Sequence, residues 1–176
     1  MLSDASDAVQ FTGCDLHYHS DTPAFDRNPS TTEPATPRPV SVNGKRMPVI
    51  DMHAHCQLSN VWPLVEGREE LEGKNPYEGQ LKKVENIDIR LQQMDAMGTD
   101  VEVLSIGTEQ HFPWAEYELA RDVASLQNET LTAVCADYPE RFVPLGVVSL
   151  QHPNLAAEQL DHSVKNLGHR GCMIRG

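Results

Sequence analysis

The fold is decided by the segment VIDMHAHC, residues 49–56, in which a short apolar strand leads directly into two histidines. Alternate residues of a β-strand point to the same face, so we expect His53 and His55 to project together while Ala54 faces the opposite side. Two imidazoles at that spacing can both reach one ion at Zn–N distances of about 2.0–2.1 Å. Asp51 has the same parity and is predicted to hydrogen-bond a ligand histidine. The segment therefore predicts half of a divalent-metal site.

Outward from this segment, short apolar strands alternate with amphipathic helices. The predicted strands cover residues 48–52, 100–106, 142–150 and 171–175, and the predicted helices run from Asp88 to Gly98, over 115–138 and from Pro153 to Gly168. Strands that are apolar throughout are typical of a parallel sheet with helices on both faces. A doubly wound sheet and a (β/α)8 barrel both fit this order. No glycine-rich phosphate loop follows the first strand, which disfavours a nucleotide-binding sheet.

The length of the chain limits how much of a barrel it can form. A (β/α)8 barrel takes about 250 residues, whereas residues 47–176 hold four predicted strands and three predicted helices. If the domain is a barrel, residues 47–176 therefore supply only about its first half. Residues 57–86 exceed the usual βα loop of about 2–6 residues. They are predicted to form a lid-like insertion with some helix around residues 59–71.

Residues 1–46 differ in composition from the rest of the chain. Five prolines lie between residues 22 and 39 among polar side chains, with too few aliphatic residues to offset the entropy of ordering the chain. This segment is predicted to be a flexible, disordered proline-rich arm. It contains a second H-x-H pair, His17 and His19, which resembles the opening motif of the PHP phosphoesterases. A poor strand precedes that pair and the prolines follow it, so a PHP-like phosphoesterase is the weaker alternative.

The overall composition excludes several classes of partner. The net charge is −12, and no basic stripe is present to release counterions from a nucleic acid. No apolar run approaches the roughly 20 residues that span a bilayer, and the N-terminus lacks the pattern of a signal peptide. The four cysteines form no C-x-x-C pair and are expected to be reduced thiols. We therefore predict a cytoplasmic protein without a nucleic-acid or membrane partner.

The strand that carries His53 and His55 resembles the first-strand signature of the amidohydrolase superfamily. Later segments resemble one branch of it, the amidohydrolase-2 or aminocarboxymuconate-semialdehyde decarboxylase-like enzymes; these segments are LQQMDAMG (91–98), DVEVLS (100–105), DYPERF (137–142) and LQHP (150–153). The resemblance implies that the α/β domain is the first half of a metal-dependent, distorted (β/α)8 TIM barrel, which holds one divalent metal, usually zinc. The implied ligands are His53, His55, a histidine after strand 5 and an aspartate after strand 8, with a further catalytic histidine after strand 6. The last three of these residues are expected beyond residue 176.

The implied activity is that of a metal-dependent carboxy-lyase or hydrolase acting on a small carboxylated organic compound. Decarboxylation and hydrolysis use nearly the same metal ligands, so both reactions stay open at this stage. A non-enzymatic alternative is a catalytically incomplete half barrel, since two sheet edges would be left open. Two such halves could pair as a homodimer.

Three further residues are candidates for binding the substrate. His111 and Trp114 lie in the predicted loop after the second strand (GTEQHFPW, 107–114), at the end of the sheet where barrel substrates sit. Arg175, at the end of the fourth strand, is suited to bidentate pairing with a substrate carboxylate. A loop histidine, a packed aromatic side chain and an ordinary salt bridge are the corresponding structural alternatives.

Overall fold

The computed structural model describes residues 40–72 and 87–174 of the 176-residue chain. His17, His19, Arg175 and residues 73–86 of the predicted insertion lie outside the described residues. The described strands are β1 (Ser41–Val42), β2 (Lys45–Arg46), β3 (Ile50–Cys56), β4 (Val101–Ile106) and β5 (Phe142–Pro144). The described α-helices are α1 (Trp62–Val65), α2 (Ile87–Met97), α3 (Tyr117–Asp137) and α4 (Pro153–Lys165).

The sheet is parallel, as predicted, with the strand order β3-β4-β5. A parallel bridge between Gly146 and Cys172 continues this order to the segment predicted as the fourth strand. Within this sheet, strands that are consecutive in the sequence are thus neighbours in space. A doubly wound sheet reverses its strand order at a switch point, whereas a barrel adds each strand beside the previous one. The observed order favours the barrel arrangement.

Local signals in the sequence set the ends of the helices. Gly98 follows α2 with a φ of 75°, the left-handed conformation that glycine adopts without steric cost. Pro153 occupies the first turn of α4, where its missing N–H leaves no bond unmade. The sequence predicted that this helix starts at Asp88; in the structure α2 begins at Ile87, and Asp88 lies in its first turn.

The hydrophobic core lies between the sheet and its helices. Its fully buried members come from β3, β4, α2, α3 and the insertion; they include Cys56, Val61, Met94, Leu104, Ile106 and Leu131. Burying one aliphatic side chain of this size contributes about 1.5–3 kcal/mol. The start of β3 is the exception to the prediction of strands buried on both faces: Ile50 is 51% and Met52 67% exposed. Among the described residues, β3 is an edge strand with β4 on one side only.

Residues 41–46, which the prediction assigned to the arm, form a hairpin instead. Asn43 (φ 51°) and Gly44 (φ 72°) both adopt positive φ, as a two-residue type I′ turn requires. Arg46 then pairs with Asp100 at 2.5 Å, and the Asp100 carboxylate also accepts the main-chain N–H of Val49 at 2.7 Å. The Asn-Gly dipeptide was the overlooked signal in the sequence.

The helical turns expected around residues 59–71 are present as two 3₁₀ turns, Ser59–Val61 and Glu69–Leu71, on either side of α1. Val61 and Val65 are fully buried, and the ring of Trp62 packs edge-on against Phe112 with centroids 5.9 Å apart. The first part of the insertion is therefore docked on the loop that follows β4. None of the helices in the described residues is long and apolar enough to cross a membrane.

Candidate metal centre

His53 and His55 lie side by side near the carboxyl end of β3. Their ring centroids are 4.5 Å apart with the planes at 72°. His53 is exposed and His55 is half-buried. The structure thus brings the two predicted ligands together at the end of the parallel sheet where substrates bind in barrels and open α/β sheets.

A β-bulge in β3 changes the face on which Asp51 lies. Asp51 pairs with Glu102 and His55 pairs with Ser105, so β3 carries one residue more than β4 between these two pairs. Glu102 and Ser105 are three residues apart and face opposite sides of β4. The bulge therefore puts Asp51 and His55 on opposite faces of the strand, so the shared face from which the role of Asp51 was predicted is lost. Its carboxylate Oδ1 accepts the main-chain N–H of His53 at 2.9 Å, at the bulge itself.

Ser105 is a neighbour of the site that the sequence did not reveal. Its hydroxyl oxygen lies 2.9 Å from His55 Nδ1, in hydrogen-bond contact, and the residue is only 3% exposed. A buried partner of this kind fixes the orientation of an imidazole and selects its tautomer. The sequence shows only that Ser105 is the single hydroxyl in the otherwise apolar end of β4; its register with His55 comes from the structure.

Arg90, on α2, reaches the backbone of the same histidine. Its Nη1 donates to Glu102 Oε2 at 2.7 Å, and its Nη2 donates to the main-chain oxygen of His55 at 2.7 Å. The Arg90 and Glu102 side chains are only 10% and 6% exposed.

Burial raises the pKa of the neighbouring Cys56 thiol to about 12, against the opposing effect of the Arg90 charge. Cys56 is therefore a neutral thiol at physiological pH.

The loop after β4 is fastened to the insertion by amide side chains. Gln110 accepts the main-chain N–H of Leu58 at 2.8 Å and donates to its carbonyl at 2.9 Å. Gln127 of α3 donates to the Gln110 carbonyl at 2.7 Å, and Gln57 donates to the carboxylate of Glu109. These bonds hold the loop at the carboxyl end of the strands.

The candidate substrate residues of this loop lie among aromatic side chains. Trp114 packs against Phe112 with ring centroids 5.5 Å apart, and Phe112 is buried with a φ of 40°. Positive φ is strained for an aromatic residue, and such strain clusters at functional sites. His111 is half-buried, with Nε2 3.4 Å from the carbonyl of Ile106. Contact of His111 and Trp114 with a substrate stays a prediction.

Of the predicted metal ligands, the described residues include the imidazoles of His53 and His55, which alone do not make a complete ligand set. Within residues 40–72 and 87–174, no group of three or more His, Cys, Asp or Glu side chains is arranged to hold an ion.

The parallel sheet, with its consecutive strands as neighbours and helices between them, defines an α/β protein, and the histidine pair lies at the carboxyl end of that sheet. Comparison of the chain with known proteins agrees. It is 33% identical over 89 residues to the gamma-resorcylate decarboxylase of Rhizobium sp. (strain MTP-10005), and these residues are 51% of this chain and 27% of that enzyme. It is 29% identical over 87 residues to the 2-amino-3-carboxymuconate-6-semialdehyde decarboxylase of Dictyostelium discoideum, covering 49% of this chain and 24% of the relative.

Solved structures extend the likeness over more of the chain. A 2,6-dihydroxybenzoate decarboxylase complexed with 2,6-dihydroxybenzoate matches with a TM-score of 0.61 and 27% identity, over 74% of this chain and 40% of that one. A dihydroxybenzoic acid decarboxylase from Polaromonas sp. JS666, with bound manganese and the inhibitor 2-nitroresorcinol, matches with a TM-score of 0.57 and 26% identity, over 74% and 39%. No protein-family model matches the chain.

The resemblance to the amidohydrolase-2 and aminocarboxymuconate-semialdehyde decarboxylase-like enzymes is therefore confirmed over about half of the chain. The chain spans about a quarter of the length of the curated relatives that it matches.

Proposed function

We propose that this protein is a metal-dependent carboxy-lyase that removes CO2 from a small aromatic carboxylate. The observation that carries the proposal is the pair of imidazole rings, 4.5 Å apart, at the carboxyl end of β3. The relatives support decarboxylation over the hydrolysis that the sequence left open, because both curated relatives are decarboxylases.

The histidine pair suits a divalent cation in its donor chemistry. Neutral imidazole is a common ligand of zinc and is also suited to other first-row metals. Since Nδ1 of His55 is engaged by Ser105, we assign Nε2 as the nitrogen of that ring that reaches the ion. When bound, such a cation supplies Lewis-acid polarisation of a coordinated carboxylate or hydroxyl group. One Zn²⁺ is the predicted ion, and the manganese in a structural neighbour makes Mn²⁺ the second ion to test.

The chain's own residues then have defined tasks. His53 and His55 hold the cation, and Ser105 keeps the ring of His55 in one orientation. The loop that carries His111 and Trp114 follows β4 at the same end of the sheet, and we assign these two residues to the contact with the aromatic ring of the substrate. In the reaction the ring carbon gains a proton and its bond to the carboxylate breaks. The electron pair of that bond stays on the ring and CO2 leaves.

The proposal is tested by measuring metal content and turnover on the same preparations. The purified protein is loaded with Zn²⁺ or Mn²⁺, its bound metal is quantified by mass spectrometry, and CO2 release from 2,6-dihydroxybenzoate is followed. We expect bound metal and turnover in the wild type and loss of both in His53→Ala and His55→Ala. His162→Ala, an exposed histidine on α4, is the matched control and should change neither.

Two results would refute the proposal. If the protein binds metal equally well with and without the His53 side chain, the metal does not bind at the proposed site. A protein that holds metal at His53 and His55 but releases no CO2 from hydroxylated benzoates would favour the incomplete half barrel.

A further inference from the structure

Arg90 joins three elements at one point below the candidate metal centre. Its guanidinium comes from α2, one nitrogen donates to Glu102 of β4, and a second donates to the main-chain carbonyl of His55 on β3. Both bonds measure 2.7 Å, and both side chains are almost completely buried. The planar fork of arginine is suited to holding two acceptors at once in a fixed geometry.

The position of this contact is the reason to connect it with function. A buried ion pair is weak evidence for stability, because the loss of hydration offsets most of the charge attraction. This pair adds a bond to the backbone of a candidate ligand, and it does so just past a bulge that interrupts the β3–β4 register. Ser105 fixes the ring of His55 from the side-chain end. Arg90 fixes the same residue from the main-chain end.

We propose that Arg90 is a positioning residue for the metal site: held by Glu102, its guanidinium keeps the main chain of His55 in the place from which the imidazole reaches the ion. The inference rests on the proposed function, since it concerns the same pair of histidines.

Three variants separate positioning from general stability. Arg90→Lys keeps the charge beside Glu102 but removes the fork that also reaches the carbonyl of His55. Arg90→Met keeps the side-chain length and removes both bonds. Arg141→Met is the matched control, because Arg141 also bridges elements, with bonds to Asp95 at 2.8 Å and to the Asp100 carbonyl at 3.0 Å, but at the amino end of the strands.

The first measurement is the dissociation constant of Mn²⁺ and Zn²⁺ by calorimetry, beside the thermal midpoint of the metal-free protein. We expect Arg90→Lys and Arg90→Met to weaken metal binding about 10- to 100-fold, as loss of a group that orients a ligand does. Arg141→Met should lower the thermal midpoint and leave the dissociation constant within about twofold of the wild type. Equal weakening by the Arg90 and Arg141 variants, or an unchanged constant in Arg90→Lys, would overturn the inference.

The second measurement needs no metal. Nitrogen-15 NMR of the imidazoles reports the contact between His55 Nδ1 and Ser105, and we expect the ring signals of His55 to shift in Arg90→Lys, because a displaced main chain moves the ring relative to that hydroxyl. His53→Ala tests the proposed function separately: if the wild type binds metal and His53→Ala binds it equally, that function fails. The spectrum of His55 still decides the role of Arg90 in that case, and an unchanged spectrum in Arg90→Lys refutes it.

Discussion

The hydrogen bond between Ser105 and His55 provides a quantitative test of the candidate site. Ser105→Ala removes one hydroxyl from a residue that is 3% exposed and deletes the 2.9 Å contact with Nδ1. A typical intramolecular hydrogen bond contributes about 0.5–1.5 kcal/mol net. The metal-free protein should therefore lose about 1 kcal/mol of unfolding free energy.

The effect on metal binding should be larger than the effect on stability. Without Ser105 the ring of His55 loses the contact that holds its Nδ1, so less of its orientation is fixed before the ion binds. Loss of such an orienting partner costs about 10- to 100-fold in metal affinity. The bond is to a neutral hydroxyl, so we expect the lower end, about tenfold or 1.4 kcal/mol. Calorimetric titration with Mn²⁺ and Zn²⁺ measures it.

Ser149→Ala is the matched control for this prediction. Ser149 is also buried, and its hydroxyl donates to the Ala120 carbonyl at 3.2 Å, a contact between the end of the β5 region and α3. Its removal should cost a similar unfolding free energy and leave metal affinity unchanged. The reasoning fails if Ser105→Ala binds both ions as tightly as the wild type while His55→Ala does not bind them.

Three further predictions concern buried polar groups. Asn128→Ala should lower the unfolding free energy by about 3 kcal/mol in urea titration, because its amide pairs with both the N–H (2.7 Å) and the carbonyl (3.0 Å) of buried Val147; a loss below about 1 kcal/mol would contradict this. Burial lowers the pKa of His169 from its ordinary 6.5, so below that pH the unfolded chain takes up a proton that the folded protein does not, and stability falls with acidification. His169→Gln should weaken this fall and the exposed His162→Gln should not, as urea titrations at neutral and mildly acidic pH would show. Burial raises the pKa of the Cys56 thiol to about 12, so we expect Cys56 to resist iodoacetamide in the folded protein and to be alkylated after unfolding. Peptide mass spectrometry measures the labelling, and alkylation of Cys56 in the folded protein would contradict this.

The parts of the fold that were predicted correctly depend on neighbours in the sequence. The three long helices follow from apolar spacing together with Gly98 and Pro153 at their ends, and the parallel sheet follows from short apolar strands that alternate with those helices. The hairpin at residues 41–46 also depends on a local signal, the Asn-Gly turn. It was missed because the surrounding prolines and polar residues suggested an arm.

The sequence by itself determined that His53 and His55 follow an apolar strand and share its carboxyl end, because side-chain alternation is a property of the strand alone. Only the tertiary structure decided what surrounds them. The bulge that separates Asp51 from their face exists through the register with β4, and Ser105 and Arg90 are 50 and 35 residues away from His55 in the chain. Contacts between such distant residues depend on how the elements pack, and no pattern along the chain encodes them.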